Sequence, residues 1–252
     1  MSKTIVVHSF VRDTGKKNLA ARLAILAATA GWRVGIVEAE ISLPDLHNRF
    51  RLDSSNLGPT INDYLLGRGA LQDAAIDVGN VDARGNLSRS GALFFVPAST
   101  NSADISDVLQ ERIDVTMLNA GFTALVARHE LDLLFVNAPA GLDEISLSCI
   151  ALADVLIISL RLDKEETHGT SVVLDLAQRL TVPEILLVVN RVPDEIDPIE
   201  VKREVEAAYG YPAPVVLTVA EETEMMFGGR TNVLDNAPHP LSPLMKAIQA
   251  EA

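Results

Sequence analysis

"VVHSFVRDTGKKNLAARLA", residues 6–24, joins an apolar run to an alanine-rich helical pattern through a short polar loop. This junction decides the fold, because a strand that returns parallel to itself needs a crossover, usually a helix. The loop also has the place and length of a phosphate cradle. Such a cradle needs inward-turned N–H groups, glycines where side chains would obstruct, and a lysine. Thr14, Gly15 and Lys16 fit its end, whereas Arg12 and Asp13 stand where small residues belong. A Ser or Thr hydroxyl for Mg2+ normally follows the lysine, and Lys17 is there instead, with Asn18 beyond it.

Outward from this junction, apolar runs alternate with helical patterns. Strands are expected over 4–9, 33–37, 93–97, 131–136, 155–160, 185–189 and 214–219, most of them rich in Val, Ile and Leu without polar alternation. Strands of that kind are covered on both faces. Helices are expected over 16–30, 61–66, 105–111, 115–129, 144–151, 165–180, 198–209 and 241–250. The alternation implies an α/β fold with a doubly wound, mainly parallel sheet of about seven or eight strands and helices on both faces. Ligands of such sheets sit beyond the carboxyl ends of the strands, where every motif below falls. Residues 78–91 and 192–198 are polar and read as surface loops, so one domain spanning 1–252 is the simplest organisation.

The chain has 252 residues, 48% of them hydrophobic, and a net charge of −13 from 21 basic and 34 acidic residues. That field repels nucleic acid and anionic lipid, and no stretch concentrates basic residues against it. Nucleic acid is therefore not an expected partner. No run of apolar residues is long enough for a transmembrane helix, and the start reads as a strand rather than a leader. The C-terminal "HPLSPLMKAIQAEA" has too little charge for a membrane anchor. The single Cys149 fits a reducing, cytoplasmic setting and reads as a small buried apolar residue.

Four segments, in order, resemble the MinD/ParA family of P-loop ATPases. The loop Val11-Arg12-Asp13-Thr14-Gly15-Lys16-Lys17 occupies the seven positions of that family's K-G-G-x-G-K-[ST] motif. "RVGIVEAEISLPDLH" (33–47) resembles its second strand and switch I, which normally ends in D-x-D. "LDLLFVNAPAGLDEISLS" (131–148) resembles its Walker B strand and switch II, and "ILLVVNRVP" (185–193) its adenine-reading N-[KR]-x-P segment. The resemblance covers most of the chain and implies a three-layer P-loop NTPase sandwich, ATP or ADP as ligand, and a dimer. It places Arg12 through Asn18, together with Asn190 and Arg191, around the nucleotide.

The same comparison marks seven departures at positions that carry the family's chemistry. The lysine that reaches a dimer partner's phosphates is Val11, the next two glycines are Arg12 and Asp13, and the magnesium hydroxyl is Lys17. The switch I aspartates are Glu38 and Glu40, and the Walker B aspartate is Asn137. Gly15, Lys16, Pro139, Gly141 and Asn190 remain. These changes argue against Mg2+ and against rapid hydrolysis, because phosphoryl transfer depends on positioned positive charge. No catalytic residue is assigned. Lys17 is expected to pair with Glu38 or Glu40 in a metal-free ion cluster, since a buried unpaired ammonium is costly.

Two functions follow. One is a binding module: a scaffold or regulator with little or no ATPase activity, working as a homodimer or as a heterodimer with an intact paralogue. The other is a slow ATPase switch for intracellular positioning or division, using Lys16 with Arg12 in place of the lost lysine. Plainer readings stand beside these. Glu38 and Glu40 suit a solvated strand end, Asn137 a turn cap, Asn190 a turn, and His8 a hydrogen-bonded core or interface residue. The pairs Glu165-Glu166 and Glu221-Glu222 suit solvated helix starts, the second with a cleft-lining alternative.

Overall fold

The computed structural model describes residues 2–79, 91–113, 115–227 and 239–249. Its elements begin with β1 (Lys3–His8), α1 (Lys16–Thr29), β2 (Arg33–Glu38), α2 (Ile61–Leu65), β3 (Ile76–Asp77) and β4 (Ala92–Val96). They continue with α3 (Ser102–Gln110), α4 (Val115–His129), β5 (Leu133–Asn137), α5 (Glu144–Ala151), β6 (Val155–Leu160) and α6 (Lys164–Arg179). The last are β7 (Glu184–Val192), α7 (Pro198–Tyr209), β8 (Val215–Thr218), α8 (Val219–Phe227) and α9 (Ser242–Gln249).

All eight strands lie in one sheet, ordered β3-β4-β2-β5-β1-β6-β7-β8. Every pairing is parallel except the short antiparallel edge between β3 and β4. Alternate strand residues feed two separate cores, as the pleat requires. Val6, Val37, Val136, Ile158 and Leu187 pack with apolar residues of α4, α5, α6 and α7. Ile5, Val7, Ile36, Phe135, Ile157 and Val188 pack on the other face against α1 and α9. The alanines of α1 (Ala20, Ala24, Ala27 and Ala28) are fully buried, so this helix lies close to the sheet. Each fully buried aliphatic side chain contributes about 1.5–3 kcal/mol, which is why the continuous apolar runs dictate a two-sided sheet.

The order places β1 between β5 and β6, so the chain leaves β1 toward one half of the sheet and later fills the other. Crevices form at such a reversal. A second contact braces the loop after β1: the Phe10 ring occupies the space where a side chain at Gly169 of α6 would begin.

Three details depart from the sequence reading. β3 was not expected; its two residues pair with Phe94 and Phe95 only because the fold brings them there. α8 was expected only as a helix start. β7 runs past residue 189 through Asn190 and Arg191, with a bulge between Val189 and Val192 and Arg191 at φ +58°. Those two residues are therefore inside a bulged strand end rather than beyond it. Residues 80–90 of the expected 78–91 loop, and the last residues of the C-terminal segment, lie outside the described residues.

Candidate functional site: a cationic loop pocket at the ends of β1, β2 and β5

The loop from Ser9 to Gly15 is held from several sides. The Ser9 hydroxyl donates to the Val11 carbonyl at 2.7 Å, and the Gly141 amide donates to the Ser9 carbonyl at 3.0 Å. The buried Thr14 carbonyl accepts from the Ser159 hydroxyl (2.9 Å) and from Asn190 Nδ2 (2.8 Å). Arg191 ties three elements together: one guanidinium nitrogen donates to the Asp13 carbonyl at 2.5 Å and Nε to Glu222 Oε2 of α8 at 2.7 Å. Gly15 precedes α1 at φ +83°, a region that favours glycine. A Cβ there would collide with the Asn190 amide and lie 2.6 Å from Glu222 Oε1, so only glycine fits.

The switch-like segment after β2 closes the opposite wall. Glu38 and Asn137 face each other in the β2–β5 register, and Asn137 Nδ2 donates to Glu38 Oε1 at 2.5 Å. The same carboxylate accepts the Leu46 amide at 3.0 Å and the Glu40 amide at 3.3 Å. Glu40 accepts the Ser42 hydroxyl at 2.6 Å and the Ala140 amide at 3.1 Å. Lys16 Nζ lies 3.4 Å from Glu40 Oε2 and also donates to the Ala138 carbonyl. Lys17 Nζ donates to the Leu43 carbonyl at 2.6 Å and lies 2.7 Å from Asp45 Oδ1. The expected pairing is not what the structure shows: Lys17 holds Asp45 rather than Glu38 or Glu40, and Glu40 is held by Lys16.

Burial sets the electrostatics. It pushes the Glu38 carboxyl up to about 7, against the pull of Lys17 and the Asn137 and Leu46 hydrogen bonds. Burial would also raise Glu40, but Lys16, the Ser42 hydroxyl and the Ala140 amide together hold it below the usual carboxylate range. The Lys16 ammonium is lowered by burial, with Glu40 and Glu38 resisting. His8 is buried beside it, and burial plus the Lys16 charge push its pKa down to about 3. Its ring sits against the Pro139 backbone, which resists that shift, in keeping with the core histidine expected.

A cavity of about 200 Å³ opens between these walls. Arg12, Asp13, Thr14, Gly15, Lys16, Lys17 and Asn18 line it with Glu40 and Arg191, so the structure brings together most of the residues singled out in the sequence. Asn190 lies behind the loop as a brace, and Glu38 and Asn137 lie beneath. Glu38 and Glu40 are buried, which overturns their reading as a solvated strand end. Asn137 caps no turn through its side chain; its amide serves Glu38, and its Oδ1 has no partner.

The fit to a phosphate is good: a glycine-started helix of 14 residues whose first residues line the cavity, with cations around it. The fit to Mg2+ is poor. Lys17 puts an ammonium where a hydroxyl ligand is needed. Glu38 is saturated by three N–H donors and Glu40 by a lysine, a hydroxyl and an amide.

Some site residues escaped the sequence reading. Arg49 and Asp45 reach the cavity from the turn after β2 (Leu46–Phe50 and the residue before it); Asp45 falls inside the 33–47 segment without having been singled out, and Arg49 lies beyond it. Glu222 is buried rather than solvated and pairs with Arg191, but it does not line the cavity itself. Glu166 is a correction: it is fully buried at the start of α6, not solvated, and burial pushes its carboxyl up to about 7. The Glu165 side chain lies outside the described residues. Cys149 is buried in the core as expected, and burial pushes its thiol up to about 12.

This architecture is the α/β fold of the MinD/ParA-type P-loop ATPases. The cell division ATPase MinD of Pyrococcus furiosus superposes with a TM-score of 0.77 over 100% of both chains, at 18% identity. MinD of Pyrococcus horikoshii, solved with Mg-ADP, gives a TM-score of 0.71 over 91% of this chain and 86% of its own, also at 18% identity. In sequence, an uncharacterized ATP-binding protein of Methanocaldococcus jannaschii is 25% identical over 249 residues, 98% of this chain and 85% of that protein. No family model matches the chain.

Proposed function

We propose that this protein is a nucleotide-binding-fold scaffold or regulator in a single domain, whose ATPase chemistry is absent or very slow. The observation that carries this reading is the engagement of Lys16 with Glu40 and of the Asn137 amide with Glu38, both carboxylates being held by further N–H donors. The groups that would hold a metal and orient water are engaged with one another and with backbone. ATP or ADP remains the natural ligand class, given the cradle and the relatives named above, with Mg2+ not required. Partner binding fits the surface. Leu43, Leu162, Ile196 and Val219 are exposed apolar residues just beyond the carboxyl ends of β2, β6, β7 and β8, on the pocket side of the sheet. Val11 offers no charge to a second subunit's phosphates, so a homodimer, or a heterodimer with an intact paralogue, would form without depending on ATP. Among the described residues no helix is long and apolar enough to cross a membrane. We place the protein in the cytoplasm.

The test is direct. Purified protein is mixed with labelled ATP or ADP, with and without Mg2+, and both binding and phosphate release are measured. Binding with negligible release supports the scaffold. Phosphate release that disappears in Lys16→Ala overturns it in favour of an ATPase switch that uses Lys16 and Arg12.

A further inference from the structure

Asp45 and Arg49, which lie outside the loop motif, line the cavity together with Lys17 of that motif. The chain carries a net charge of −13, yet five cations line this cavity against three carboxylates, Asp13, Glu40 and Asp45. A local positive pocket in an acidic molecule concentrates anions. Three of those cations face the opening. Arg12 makes only a 3.3 Å contact to the Ser42 hydroxyl, and Arg49 is exposed at the cavity edge. Lys17 is held by Asp45 at 2.7 Å and by the Leu43 carbonyl at 2.6 Å, and the Asp45 side chain is 49% exposed. Exposed ion pairs of that kind contribute at most about 1 kcal/mol. Lysine and arginine make charge-assisted bonds of the same kind to phosphate oxygens, and a polyphosphate brings more negative charge than the single Asp45 carboxylate. The Lys17–Asp45 pair is thus a weak internal stand-in that a phosphate would displace.

The geometry points to a polyphosphate site that binds its anion free of divalent cation, with Lys17 and Arg49 supplying the neutralising charge and Lys17 exchanging Asp45 for phosphate. This deepens the nucleotide reading of the same pocket and rests on it. The incompatibility with Mg2+ follows from the same residues. A divalent ion would meet the Lys17 ammonium and would have to displace amide donors from Glu38. The exchange has a structural readout as well. Asp45 directly precedes the turn of residues 46–50, whose Leu46 amide is bound by Glu38, so releasing the Asp45 side chain from Lys17 removes the tie between that segment and the start of α1.

Isothermal titration of the full chain with ATP, and separately with inorganic tripolyphosphate, is run in chelator and in excess Mg2+. The expected result is binding in chelator at least as tight as in Mg2+. Arg49→Ala, an exposed position, weakens it about 10-fold or more in chelator, and Asp45→Asn tightens it several-fold by removing the competing carboxylate. That gain cannot come from misfolding. Lys17→Ser shifts the preference toward Mg2+. ATP binding without tripolyphosphate binding assigns the ligand to nucleotides; binding of both assigns it to polyphosphate generally. Wild-type binding that requires Mg2+ overturns the cation-free site and leaves the nucleotide reading standing. Absence of binding by either anion in either condition overturns both.

Discussion

The Asn137 side chain donates to the Glu38 carboxylate at 2.5 Å, between residues that stand opposite each other at the ends of β5 and β2. A carboxylate only accepts, so Asn137 presents its NH2 group and leaves Oδ1 without a partner. Asn137→Asp replaces that donor with a second buried carboxyl. The pair must then share a proton, which raises the folded-state pKa and makes stability fall as pH rises. The variant is expected to lose about 1–3 kcal/mol relative to the wild type at pH 8 and markedly less at pH 5. Thermal melts at the two pH values decide it; equal losses at both would show that the carboxylates do not repel.

Glu166 gives a second pH prediction. Its carboxyl is buried beside the backbone of Phe10 and Val11 and sits near 7 in the fold, above the ordinary 4.5, because burial outweighs those contacts. The folded state therefore holds the proton longer than the unfolded chain. Stability from this group is complete below about 4.5 and is lost as pH rises through about 7. Glu166→Gln removes that loss, so the variant is expected to exceed the wild type by about 1–2 kcal/mol at pH 8, with a flatter profile from pH 5 to 8. Urea denaturation across that range reads the difference.

Lys16 and Glu40 form a buried pair, and removing one partner strands the other's charge. Lys16→Met and Glu40→Gln are each expected to destabilise by about 2–4 kcal/mol, and the double variant by clearly less than their sum. A double-mutant cycle in chemical denaturation measures the coupling. Additive losses would mean the two groups do not stabilise each other.

Gly15 combines a positive φ with contact to Asn190 and Glu222. Gly15→Ala is expected to cost about 2 kcal/mol or more, and to abolish any polyphosphate binding by pushing Asn190 off the Thr14 carbonyl. Gly210 is also at positive φ but has no atom within 4 Å of a Cβ, so Gly210→Ala carries only the backbone strain and should leave binding intact.

How far the fold was legible depends on where the deciding contacts lie. β6 matches its expected bounds because six buried residues, all apolar but Ser159, sit between Asp154 and Arg161. α5 and α7 match because Asp143 and Asp197 cap them through side-chain bonds that local sequence announces. β3 was illegible because two residues become a strand only beside β4. At the site, the glycine–lysine step and the altered acids could be read, but the pairing could not. Lys17 meets Asp45, which reaches it only through the loop after β2. Glu166 looked solvated because an acid in a first helical turn usually is. Its burial follows from α6 packing beneath the start of the loop, which no local pattern encodes.

The Phe10 ring in the space above Gly169 carries a consequence for variation among relatives. Two positions far apart in sequence share one volume, so they cannot diverge independently. A lineage that gains a side chain at 169 must first shrink the residue at 10. Such a lineage would also lose the brace that α6 gives the loop, and covariation at this pair would therefore mark where the loop's rigidity has been kept or relaxed.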